Sequence, residues 1–218
     1  MKTFPLRKLL LCFWVLTLPL TITGAYLAYN ALDRFYTFQV RYKGGLRLWD
    51  VLVYERNHFV QKVQATFLHR VKGSKTNLPT VQIFVPKDNL AQLRSHMPQS
   101  GFDYVKGRML QEGELKKIKV KYRGDYASHW AWEKKSLRIK TNKNSLYEGM
   151  RRFNLQAPKR RAQIINFQSL QLAADMDLLG PRAELVRLYL NGKNRGIYAL
   201  IEQLGEITLR NTNFMPGD

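Results

Sequence analysis

The chain has 218 residues, 45% of them apolar, enough for one packed domain plus an appendage and too hydrophobic for a disordered segment. Lysine and arginine outnumber aspartate and glutamate by 36 to 16, and the net charge of +20 calls for an anionic partner such as nucleic acid, lipid headgroups, acidic polysaccharide or a phosphate-bearing substrate. A single cysteine, Cys12, excludes an intramolecular disulfide and a cysteine-built metal site.

Lys2, Arg7 and Lys8 precede an uncharged run from Leu9 to Tyr29. At about 1.5 Å rise per residue, that run is long enough to cross the roughly 30 Å hydrocarbon core of a bilayer. A cleaved signal peptide would end at a small-residue site, for which Thr23-Gly24-Ala25 is a weak match. Apolar residues continue beyond it, and Tyr26 and Tyr29 suit an interface, so a signal anchor over residues 1–30 is the preferred reading. Under either reading the basic N-terminus stays cytoplasmic and the remainder is exported. The expected bilayer partner acts through Leu9–Tyr29, and nucleic acid is not expected for an exported domain.

Residues 31–77 read as a juxtamembrane helical stalk. Leu48, Val51, Phe59, Val60, Val63 and Phe67 give an amphipathic spacing, with a break expected near Arg56-Asn57. Val81–Val85 is a short strand stopped by Pro86, and Lys87-Asp88 opens a short helix.

From Lys116 to Asn142 the chain is densely basic. Ile118, Val120 and Tyr122 alternate with Lys117, Lys119 and Lys121, Arg123-Gly124-Asp125 breaks the run, and Lys135–Thr141 alternates again. A strand, a glycine-containing loop and a strand suit phosphate binding, since backbone N–H groups and nearby cations can wrap an anion. A solvated basic sheet face explains the same residues equally well. As an adhesion tripeptide, Arg123-Gly124-Asp125 carries almost no specificity.

A third strand is expected around Phe153–Gln156. After the basic run Lys159-Arg160-Arg161 comes a helix over Ile164–Leu179, its Ile165, Leu170, Leu172 and Met176 forming a buried stripe, ended by Gly180-Pro181. Arg182–Gln203 then reads as a β-hairpin. Val186, Leu188 and Leu190 alternate along its first strand, Asn191-Gly192 suits the tight turn, and Ile197, Ala199 and Ile201 alternate along its second. By pattern alone Glu202 is a solvated strand end.

These motifs, RGDYASHW, KKSLRIK, RRFNLQAP, a helix with Gly-Pro, and VRLYLNGKNRGIYALIEQ, resemble the spore-coat CotH kinase-like family in order and spacing, from about Leu78 onward. The resemblance implies a reduced kinase-like fold, so that residues 78–218 form the N-terminal part of a CotH kinase-like domain. It implies ATP and magnesium as cofactors. Arg123 and Gly124 would lie in the loop over the phosphates, Lys140 is the first candidate for the phosphate-holding lysine, and Lys135 is the second. The helix over Ile164–Leu179 stands in the place of αC, with Asp175 and Asp177 but no glutamate, and Glu202 falls near adenine and ribose.

The expected architecture is α+β: a transmembrane helix, then an antiparallel sheet with packed helices resembling a kinase N-lobe. No residues form an evident metal site, and the family's catalytic acids lie downstream of Asp218, so phosphotransfer is not expected from this chain alone. The alternatives are a non-catalytic basic envelope module that binds anionic polymer or a membrane surface, and a truncated remnant. An anionic envelope polymer or a protein substrate is the expected soluble-side partner.

Overall fold

A computed structural model describes residues 6–42, 47–72, 77–95, 103–124, 134–158 and 162–211. The chain divides into two compact units, Met1–Lys75 and Thr76–Asp218.

The first unit is a pair of packed helices, α1 (Leu6–Tyr42) and α2 (Leu48–Lys72), with Ala31, Val51 and Glu55 buried. Within α1, Leu11–Asp33 is long and apolar enough to cross a membrane by length and composition. Pro19 sits inside this helix, where side-chain back-bonds from Thr21 to Leu18 O (2.8 Å) and Thr23 to Pro19 O (2.7 Å) satisfy nearby carbonyls. The break expected at Arg56-Asn57 is absent, and α2 runs through both residues.

The second unit is built on β1 (Thr80–Phe84), α3 (Lys87–Ser95), β2 (Val105–Gln111), β3 (Glu114–Tyr122), β4 (Leu137–Thr141), β5 (Arg152–Gln156), α4 (Ala162–Asp175), β6 (Ala183–Leu190), β7 (Lys193–Glu202) and the short α5 (Glu206–Asn211). Its strands close into a barrel in the order β1-β2-β3-β4-β5-β7-β6. This corrects the expected antiparallel sheet with packed helices resembling a kinase N-lobe. The ladder is antiparallel except where β1 joins β6 in parallel, with Thr80 opposite Arg187 and Ile83 opposite Leu190. That single pairing covers what would have been two sheet edges.

Closure changes what the apolar faces pack against. Val81, Ile83, Met109, Val120, Ile139, Phe153, Leu155, Val186, Leu188, Tyr198 and Leu200 all point inward and fill the lumen. A sheet that buries its own face has little need of a helical layer. The expected buried stripe on α4 is accordingly absent: Ile165 is 55% exposed, Leu172 60%, and Met176, just past the helix, 61%.

Two local devices hold the closure. Asn191 (φ +51°) and Gly192 (φ +76°) make the β6–β7 turn, and a bulge at Leu188/Tyr189 bends the hairpin. The other is Gly107 on β2. A Cβ there would meet Phe84 O at 3.1 Å, Val120 Cγ2 at 3.2 Å and Val85 Cγ2 at 3.3 Å, so glycine lets β1 and β2 approach.

Candidate functional site

Strand alternation sorts the charges of β2–β5 onto one side. Val105, Met109, Ile118, Val120, Ile139 and Phe153 face the core, which turns Lys106, Arg108, Lys117, Lys119, Lys140 and Arg152 outward. Register then sets them side by side. Lys106 lies opposite Lys119, Lys119 opposite Lys140 and Lys140 opposite Arg152, a transverse row over four neighbouring strands. Beside it Arg108 pairs with Lys117 and Lys121 with Arg138. Like charges directly opposite one another on a sheet oppose folding. Together they give this face a positive potential.

A cavity of about 790 Å³ opens on this face. Lys106, Arg108, Lys117, Lys119, Lys140 and Arg151 line it, with Phe84 and Pro86 at an apolar wall and Asn142 beside them. No acidic residue lines it among those described. Its volume and cations fit a nucleoside triphosphate, but its lining supplies no carboxylate to hold magnesium. Among the described residues, no three of His, Cys, Asp and Glu stand together as a metal cluster.

The five residues singled out from the sequence do not converge. Lys140 lines the cationic cavity. Lys135 lines a different one of about 290 Å³, with Arg94 of α3, Tyr122, Arg195 and Tyr198. Glu202 lines a third of about 340 Å³ beside α4, with Gln171, Arg182 and Thr208. Arg123 Nη1 donates to Gln156 Oε1 at 3.1 Å, and burial, then the charge of Arg138, lowers the Arg123 pKa. Gly124 has φ +96°. The rest of the expected phosphate loop, 125–133, lies outside the described residues, as does the basic run at 159–161.

Glu202 is not the solvated strand end that its position suggests. It is 9% exposed, accepts a 2.9 Å hydrogen bond from Thr208 Oγ1, and faces the Arg182 amide at 3.5 Å. Arg182 also pairs with Glu148, and both line that third cavity.

Sequence reading missed Lys106 and Arg108, because β2 itself went unassigned. Its signal is present: Val105 and Met109 alternate with two cations, and Glu112-Gly113 turns the chain into β3 with positive φ at both residues.

Residues 120–217 match the model of a protein family described as CotH kinase protein. This is a CotH-family domain. A curated relative, the inner spore coat protein H of Bacillus subtilis (strain 168), is 28% identical over 145 residues. The similarity covers 66% of this chain and 39% of that protein, so the chain spans about two fifths of the relative's length. Lys140, Lys135, Arg123, Gly124 and Glu202 all fall inside the CotH match, whereas Lys106, Arg108, Lys117 and Lys119 precede it.

Proposed function

We propose that the barrel is a phosphate-binding part of a CotH kinase-like domain and takes the phosphates of ATP in the cavity around Lys140. One observation carries this reading: six cations surround a nucleotide-sized cavity and no acid is among its described lining residues. Lysine and arginine hold transferred phosphates in kinases through charge and positioning. The apolar wall at Phe84 and Pro86 gives a base or sugar a dry surface.

Binding is the role assigned to these residues, not transfer. The acids that hold magnesium and accept the substrate proton in a kinase have no counterpart among the described lining residues. Magnesium would arrive on the phosphates. The barrel is taken to be anchored by Leu11–Asp33 on the exported side of a membrane, a placement that the spore-coat name of the relative supports.

Titration calorimetry on the full chain in detergent tests the reading. ATP should bind more tightly than AMP, and Lys140→Ala should weaken it about tenfold, the loss of one charged hydrogen bond worth about 1.4 kcal/mol. No measurable binding of ATP or inorganic triphosphate by the folded chain would defeat it.

A further inference from the structure

The cations continue past the cavity. Lys121, Arg138 and Arg152 do not line it, yet they are tied to it by register, because Arg152 stands opposite Lys140 and Arg138 lies two residues before it on β4. Lys121 lies opposite Arg138 across β3 and β4. The Lys121 ammonium sits 4.8 Å from the Tyr104 ring centroid. Burial raises the Tyr104 pKa, and the charges of Arg138 and then Arg152 act against that rise. Asn154 accepts a 2.9 Å bond from Arg138 Nε and orients its guanidinium.

We infer that this face, adjoining the cavity, is a docking track for an acidic polypeptide segment with carboxylates at alternate positions. It would be the acceptor-side partner of the nucleotide reading above, on which this inference rests.

Spacing favours a polypeptide. Along β3, Lys119 and Lys121 repeat every second residue, as do Arg138 and Lys140 on β4. That repeat is about 6.8 Å, the same as the spacing of side chains on one face of an extended peptide. An acidic strand that leaves the cavity edge at Lys119 and Lys140 and runs along β3 and β4 therefore meets Lys121 and Arg138 at its next inward residue. Arginine at two of the three outer positions adds bidentate geometry suited to carboxylates. Tyr104 supplies a half-buried ring against which the peptide backbone can rest.

The test uses the full chain in detergent, with fluorescence anisotropy of two labelled peptides of equal composition. One alternates Glu and Ser, and the other carries its glutamates in a single block. The alternating peptide should bind at least fivefold tighter. The double variant Lys121→Ala/Arg152→Ala should lose at least tenfold of that affinity while ATP binding stays within twofold, with the melting temperature confirming that the variant is folded. Equal affinity for the two peptides, or unchanged affinity in the double variant, overturns the track. So does tighter binding of inorganic polyphosphate or of vesicles rich in anionic lipid, since either would assign the face to another partner. If ATP fails to bind but the alternating peptide is still lost in the double variant, the track stands and the nucleotide reading falls.

Discussion

Thr208 on α5 reaches back to the end of β7 and donates a 2.9 Å hydrogen bond to Oε1 of Glu202, and both residues are buried. The Glu202 amide meanwhile donates to Arg182 O at 2.8 Å, so the pair joins the last helix, the last strand and the entry to β6. A buried carboxylate that loses a donor costs about 1–3 kcal/mol. Thr208→Val, which keeps the shape and removes the donor, should therefore destabilise the barrel by that amount. Thr208→Ser should stay near the native value. Chemical denaturation of all three chains decides the matter, and an unchanged midpoint for the valine variant would show that the bond is not a tie.

Asn191 does three things at once. It sits at φ +51°, its Oδ1 accepts from Val85 N at 2.7 Å, and its Nδ2 donates to Val85 O at 2.8 Å. Its own amide donates to Ile83 O at 2.8 Å. The turn of the β6–β7 hairpin thus clamps the end of β1 and continues the parallel pairing that closes the barrel. Asn191→Ala should cost on the order of 2–4 kcal/mol, from two lost bonds and a strained positive φ. Asn191→Asp keeps the acceptor but sets a carboxylate against the Val85 carbonyl, so it too should be destabilising. If urea unfolding ranks Asn191→Ala as stable as the native chain, the clamp is not what holds β1.

Most strands were legible because their period is local. β3, β4 and the β6–β7 hairpin follow from alternation and from Asn191-Gly192, and the cations of β3 and β4 follow with them. Closure was not legible. It depends on Thr80–Ile83 meeting Arg187–Leu190, more than a hundred residues away and with no local signature. The same long-range pairing decides which hairpin face is interior. Tyr198 and Leu200 go inside, while Ile197, on the face that looked more apolar, is 39% exposed. Glu202 was misread for a related reason: the helix that shields it begins only after the strand pattern ends. Lys140 could be picked from sequence, but its partners Lys106 and Lys119 become neighbours only through register.

Gly107 gives a steric prediction. Its missing Cβ faces the Phe84 backbone oxygen at 3.1 Å, and backbone yields less readily than the end of a flexible side chain. Gly107→Ala should cost about 1 kcal/mol and Gly107→Val about 2–4 kcal/mol, because branching adds atoms where Val85 and Val120 already press. β1 and β2 pair at Ile83–Met109 and Phe84–Arg108, so the valine should also loosen the cavity wall at Phe84. Hydrogen exchange at the β1 amides measures this directly. Protection equal to native in Gly107→Val would mean that the neighbours absorb the side chain without loosening the strands.

Lys134 supplies the pH dependence. Its ammonium donates to Ile197 O at 2.6 Å and lies 4.7 Å from the Tyr198 ring centroid, yet burial pushes its pKa down from 10.5 to about 8. The folded state thus releases this proton more readily than the unfolded chain. Between about pH 8 and 10.5 the unfolded chain holds the proton that the folded one has dropped. Raising pH through that window therefore favours folding, and below pH 8 the burial cost is present in full. The useful quantity is a difference between two chains, in which the rest of the protein cancels. Relative to Lys134→Met, the native chain should gain stability from pH 8 to 10, at a slope below the limit of about 1.4 kcal/mol per pH unit set by one proton. Parallel stability curves for the two chains across that range would show that Lys134 is solvated like any surface lysine.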